Sequence, residues 1–115
     1  MLIRSQDKTI LVNVDNTFNI AIRYTNGAAA IYIGSSSGCC NIAEYSTKAK
    51  AIKVLDMIQE AYAEYKITCT FLTGFTGHRA IVKSNDIQGN GLKKLIKNFK
   101  NDMVFQMPED SEVEV

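Results

Sequence analysis

Phe18-Asn19-Ile20-Ala21-Ile22-Arg23-Tyr24-Thr25-Asn26-Gly27-Ala28-Ala29-Ala30-Ile31-Tyr32-Ile33 carries the signature of a β-hairpin. Phe18, Ile20 and Ile22 alternate with Asn19, Ala21 and Arg23, a period of two that gives one apolar and one more polar face, as in a half-buried strand. Thr25-Asn26-Gly27 then carries the Asn-Gly hairpin signal, because both turn residues tolerate the positive φ that a tight hairpin requires. Ala30-Ile31-Tyr32-Ile33 runs back as the partner strand until Gly34-Ser35-Ser36-Ser37-Gly38 interrupts it. Upstream, Leu2-Ile3-Arg4, a turn at Gln6-Asp7-Lys8, and Thr9 to Val14 make two more strands, closed by the turn pair Asp15-Asn16. Downstream, Cys39 to Tyr45 is a fifth. The first 45 residues thus read as an antiparallel meander.

Ser46 is the expected N-cap of a helix reaching about Tyr65. Ile52, Leu55, Ile58, Tyr62 and Tyr65 recur at three and four residues, with Ala51, Val54 and Ala61 widening the stripe that faces the sheet. Beyond it, Ile67, Cys69 and Phe71 alternate with Thr68 and Thr70 and predict another strand, followed by a glycine-punctuated loop at 72–78. Arg79 to Lys83 reads as a short strand and Ser84 to Gly91 as a polar loop. Leu92, Leu95, Ile96 and Phe99 then mark a short helix whose other face bears Lys93, Lys94, Lys97 and Lys100. Met103 to Met107 is the last strand, and Pro108 ends it. The fold class is therefore α+β: about five N-terminal strands packed by one long helix, then a β/loop/short-helix insertion and a final strand.

The chain has 115 residues and a hydrophobic fraction of 46%, which fits a single domain and argues against global disorder. No apolar run approaches the roughly 18–20 residues of a membrane span, and the N-terminus lacks the layout of a secretory signal. A cytoplasmic protein without a membrane partner is expected. The formal net charge of +1 hides a segregation. Arg4, Lys8, Arg23, Lys48, Lys50 and Lys53 balance the acids Asp7, Asp15, Glu44, Asp56, Glu60 and Glu64. Residues 66–102, read as an insertion, carry seven cations against Asp86 and Asp102. Residues 108–115, expected to be a mobile tail, hold Glu109, Asp110, Glu112 and Glu114. A basic segment beside an acidic tail suggests an anionic partner, a tail that shields the basic face when it is empty, or plain solubility. The three cysteines, Cys39, Cys40 and Cys69, match neither a disulfide framework nor a zinc site, and are expected to be half-buried hydrophobes.

Catalysis is not expected. His78 is the one histidine, and no nucleophile-elbow, HExxH or Walker pattern appears. No cofactor and no metal site are expected either. Gly74-Phe75-Thr76-Gly77 and Gly89-Asn90-Gly91 are each followed by cations, so their amides with Lys93 or Lys94 form a candidate phosphate cradle, although turn chemistry alone explains such glycines. Phe75, His78, Arg79, Lys83 and Asn85 lie within eleven residues. A purine needs a flat face to stack on, phosphates need Arg or Lys, and an amide such as Asn85 or Asn90 reads a base edge or a ribose hydroxyl. The absence of an RNP-like motif and of tryptophan favours a small anionic nucleotide over a nucleic-acid polymer.

Three stretches carry a resemblance: Ile3 to Lys8, Ala43 to Thr47 running into Ala51 to Gln59, and Val104 to Asp110. Together they resemble a group of short proteins of Firmicute phages and prophages, over roughly 40 residues of framework, with residues 66–102 standing as an insertion. Within that group the plan is similar to the first Thoeris anti-defence family, phage-encoded sponges that sequester cyclic ADP-ribose-type immune signals, some of which also hold cyclic oligonucleotides. The resemblance implies a homo-oligomer, a dimer or a hexamer. It also implies Phe75 for stacking, Asn85 for closing the loop, and Arg23 with Arg79 for phosphate. The ligand-binding expectation is thus Arg23, Phe75, His78, Arg79, Lys83, Asn85, Asn90 and Lys93. The alternative expectation is a protein-binding inhibitor or adaptor that uses a sheet edge or the acidic tail.

Overall fold

The computed structural model describes residues 1–36, 38–76, 97 and 100–115. Strands β1 (Leu2–Arg4), β2 (Leu11–Asn13), β3 (Asn19–Thr25), β4 (Ala28–Ser35) and β5 (Gly38–Tyr45) precede one long helix, α1 (Lys48–Thr76). Residues 97 and 100–102 are helical, in the stretch read as the short helix, and β6 (Val104–Gln106) is the final strand. The α+β class and the order of N-terminal strands, long helix, short helix and final strand match the sequence expectation, whereas the strand and the start of the loop expected at 67–76 are the last turns of α1.

The strands do not form one meander, however. They divide into two three-stranded sheets, in the orders β2–β1–β6 and β3–β4–β5. A single 3-10 turn at Val14–Asn16 separates β2 from β3. Its Thr17 hydroxyl donates to Val14 O at 2.8 Å, so the chain turns away from the first sheet instead of pairing back on it. β6 closes that first sheet by pairing parallel with β1, Ile3 opposite Phe105.

The β3–β4 hairpin is the one the sequence predicts. Asn26 and Gly27 take φ of 51° and 85°, and Thr25 faces Ala28 across a two-residue turn. β4 runs on through Gly34 to Ser35, further than the glycine had suggested. The β4–β5 ladder is irregular. Ile31 faces Ala43 but Tyr32 faces Asn41, leaving Ile42 as the extra residue of a bulge. Ile42 is buried, and its carbonyl accepts from Gln6 N at 2.8 Å, which joins the two sheets.

α1 lies across all three strands of the second sheet. Its N-cap is Thr47, whose Oγ1 accepts from Lys50 N at 3.2 Å, and not Ser46. Ala51, Val54 and Ile58 are buried in one cluster with Ile31, Ile33, Ala43 and Tyr45. Ile52, expected inward, is 41% exposed. The predicted strand at 67–71 is helical. Once nucleated, a helix extends at one hydrogen bond per residue, and five alternating residues do not outweigh that. The threonines fit because Thr68 and Thr70 hydroxyls donate to the Glu64 and Lys66 carbonyls at 2.9 and 3.0 Å. The expected strand at 79–83 and polar loop at 84–91 lie outside the described residues.

The acidic C-terminal segment, expected to be mobile, packs against the fold. Met107 and Val113 are buried, and Tyr45 Oη donates to Pro108 O at 2.8 Å. Asp110 accepts from Ser46 N at 2.8 Å and lies 3.3 Å from Lys50 Nζ. Lys53 Nζ donates to Glu114 O. Cys39 and Cys40, expected half-buried, are both exposed, and Cys69 is intermediate. No helix among the described residues is long and apolar enough to cross a membrane.

Candidate functional site

The outward face of the β3–β4–β5 sheet follows from its register. Pairing across the Asn26–Gly27 turn sets Arg23 opposite Ala30 and Ala21 opposite Tyr32, so Arg23 and Tyr32 are diagonal neighbours on one face. The Arg23 guanidinium stacks over the Tyr32 ring, 4.6 Å from Cζ to the centroid. On β5, Glu44 faces Ala30 and Asn41 faces Tyr32. The side chains beside these polar groups are small, Ala28 and Ala30, and the face holds a hollow of about 350 Å³ lined by them and by Arg23, Thr25, Asn41 and Glu44. That volume falls in the lower part of the range of small-molecule sites. A cation held flat against an aromatic ring, with an amide and a carboxylate across a small-residue floor, suits an anion attached to a hydrogen-bonding ring.

A second hollow of about 240 Å³ adjoins this one, lined by Ser5, Gln6, Asp7 and residues 41–44, so Asn41 and Glu44 belong to both. Its wall is a tight polar turn. Asp7 Oδ1 accepts from Ser5 Oγ at 2.7 Å, Thr9 Oγ1 at 2.6 Å and Thr9 N at 3.0 Å. These donors, the Thr9 hydroxyl first, hold the Asp7 carboxyl down at about 2. Gln6 spans the joint between the sheets. Its amide donates to Glu44 O and Pro108 O, both at 3.1 Å, and accepts from Glu44 N at 3.0 Å. Burial and, after it, the nearby Glu109, Asp110 and Glu112 push the Tyr45 phenol upward, which keeps it a hydrogen-bond donor to the Pro108 carbonyl.

Of the residues expected to bind a ligand, Arg23 alone has a described side chain, and it lies at the hollow. Phe75 falls in the last turn of α1, and its side chain lies outside the described residues. His78, Arg79, Lys83, Asn85, Asn90 and Lys93 lie outside them altogether. Tyr32, Asn41 and Glu44 are additions from the structure. Tyr32 was within reach of the sequence, since a two-residue turn at Asn26–Gly27 fixes Ala21 opposite Tyr32 by counting. Asn41 and Glu44 were not, because the bulge at Ile42 shifts the count on β5. Among the described residues, no three His, Cys, Asp or Glu side chains gather to hold a metal ion. No protein-family model, curated protein or solved structure matches this chain.

Proposed function

We propose that this chain is a non-catalytic cytoplasmic sponge, a phage anti-defence protein that captures a cyclic nucleotide immune signal of the cyclic ADP-ribose or cyclic oligonucleotide type without turnover. The observation that carries the reading is Arg23 at the hollow, its guanidinium held by the stack over Tyr32. It supplies a phosphate-binding cation, with Asn41 and Glu44 in the same hollow to read a base edge or a ribose hydroxyl. The excess of positive charge in residues 66–102 and the resemblance of the framework support an anionic ligand. Sequestration needs nanomolar binding, about −12 kcal/mol, and an oligomer that covers the ligand from two sides is the natural way to reach it.

The test is direct. Purified protein is denatured and the released small molecules are identified by mass spectrometry, then a panel of cyclic ADP-ribose isomers, cyclic di- and trinucleotides and inorganic phosphate is run by thermal shift and calorimetry. A cyclic nucleotide is expected to bind, to return chemically unchanged, and to lose at least about tenfold in affinity in Arg23→Ala, which corresponds to about 1.4 kcal/mol. A panel without shift or heat sinks the sponge reading. Undiminished binding by Arg23→Ala would move the site away from the hollow, and a ligand returned cleaved would make the protein an enzyme. The alternative, a protein-binding inhibitor, is favoured in one form only. The tail is engaged by Ser46, Lys50 and Lys53, whereas no described residue pairs with the outer side of β3.

A further inference from the structure

The two edges of the β3–β4–β5 sheet are treated differently. Along β5, Gln6 N donates to Ile42 O, and the Gln6 amide occupies both Glu44 O and Glu44 N. The bulge at Ile42 also breaks that edge. These are the devices by which proteins stop a sheet from adding strands. β3 has none of them. It is seven residues long, without Pro, Lys or bulge, and no described residue pairs with its outer side. The strands of the other sheet are only three residues each, so β3 is the longest open edge among the described residues.

The hairpin sets which groups face outward. With a two-residue turn, Thr25 and Ala28 form a hydrogen-bonded pair, and by alternation Arg23, Ala21 and Asn19 also bond to β4. The N–H and C=O of Ile20, Ile22 and Tyr24 therefore point to the open side. Their side chains share the helix face, where Tyr24 is 51% exposed, and Phe18, just before β3, is 77% exposed. α1 adds the exposed Ile52 to that face.

We infer that β3 is the interface between two copies of this chain, paired antiparallel about a two-fold axis through Ile22. In that register Ile22 faces its own counterpart and Ile20 faces the partner's Tyr24, so all three outward residues of each strand exchange hydrogen bonds. Moving the axis by one residue sets Ile20 opposite the turn residue Asn26, or Tyr24 opposite Phe18, whose N–H is already given to Gly34 O at 2.8 Å. The register is self-complementary in charge as well. Arg23, the one charge on β3, lies opposite Ala21, so no like charges meet directly. The edge alone is too small for a stable dimer, which buries roughly 800 Å² per partner. Tyr24, with Ile52 one helical turn beyond the Lys48 that lies over its ring, and the exposed Phe18 at the end of the strand are the apolar side chains that extend it. On the outward face the two Arg23 residues become diagonal neighbours about 7–8 Å apart, each over its own Tyr32, astride the axis. That consequence for a ligand rests on the sponge reading, whereas the strand pairing does not.

Light scattering after size exclusion, on the full chain at about 100 μM and without nucleotide, tests the pairing. The expected mass is twice 12.8 kDa. Ile22→Pro removes the N–H at the axis while sparing the β4 ladder, a position where an edge strand accepts proline. It is expected to run at 12.8 kDa with its far-ultraviolet circular dichroism retained. Tyr24→Lys, at an exposed side chain, is expected to weaken dimerisation at least tenfold and carries the test where the proline variant does not fold. A wild-type monomer at that concentration overturns the inference, and so does a folded variant pair that keeps the wild-type mass. Because no nucleotide is present, failure here leaves the ligand reading standing, and a silent nucleotide panel leaves this one standing.

Discussion

Replacing Gln6 by alanine should destabilise the whole fold, although the residue sits in a surface turn. One side-chain amide makes three hydrogen bonds, to Glu44 O, Glu44 N and Pro108 O, at 3.0 to 3.1 Å. Those partners lie on β5 and on the C-terminal segment, 38 and 102 residues away in sequence. A hydrogen bond contributes a net 0.5–1.5 kcal/mol in general. Glu44 is exposed, so water replaces part of the loss, and Pro108 O keeps the Tyr45 hydroxyl. The sum belongs near the lower half of the range, about 2 kcal/mol. With an unfolding entropy of about 2.1 cal/mol/K per residue, that is a fall in Tm of about 8 °C for a chain of this length. Gln6→Glu sharpens the test. A carboxylate there faces two carbonyl oxygens, so its folded-state pKa rises above the usual value; the damage exceeds that of alanine at pH 7, eases as pH falls through the raised folded-state value, and levels off below the unfolded value of about 4.3. Thermal and urea unfolding followed by circular dichroism measure both. A Gln6→Ala variant that melts within about 2 °C of the wild type would refute the claim that this amide clamps the two sheets and the C-terminal segment together.

Val54→Ala and Ile52→Ala compare the two sides of α1. Val54 is fully buried and should cost about 2 kcal/mol in urea unfolding, while the exposed Ile52 should cost under about 1 kcal/mol; the reverse order would put the helix on the wrong face. Acid sensitivity should follow the two hydrogen-bonded carboxylates. Asp7 is held at about 2 and Asp110 is also lowered, chiefly by the Ser46 backbone N–H, against about 3.9 when unfolded. Their stabilisation is present above about pH 4 and is lost as pH falls through the folded values, so Asp7→Asn should be less stable than wild type at pH 7 and equal to it near pH 2. A gap between their urea midpoints that is unchanged over that range would contradict the assignment.

The hairpin was legible because its signal is local. Asn26 and Gly27 are selected by the backbone angles of a single turn, and alternation on either side fixes the faces. The division into two sheets was not legible, since it depends on the 3-10 turn at Val14–Asn16 and on β6 returning from the far end of the chain to β1. Periodicity showed that α1 is amphipathic but placed Ile52 inward. Ala51 and Val54 are smaller, yet they lie nearer the centre of the contact with the sheet. The error at 67–71 has a related source. Alternation over five residues is a strand signal only when no helix is already growing into it. For the candidate site, Arg23 was legible as a cation and Tyr32 only through the register, whereas Asn41 and Glu44 depend on a bulge that composition does not announce.

The docked C-terminal segment changes the electrostatic argument. An acidic tail beside a basic segment leaves open the idea that one shields the other. In the fold, Asp110 is held at Ser46 and Lys50, and Glu114 O at Lys53, all close to the first turns of α1. Lys66, the first cation of the basic segment, lies 13 residues further along the same helix, about 20 Å at 1.5 Å per residue. The helix ends at Thr76, roughly 35 Å beyond Lys53. The Debye length at physiological ionic strength is about 8 Å. The tail therefore exerts little field at the point where the basic segment begins, and Lys66 instead pairs with Asp15, at 4.0 Å. What the tail does neutralise is the cationic start of α1, which belongs to the charge-balanced framework. Shielding by the tail thus loses its footing at this end of the segment, where Lys66 has a carboxylate of the framework, Asp15, as its partner.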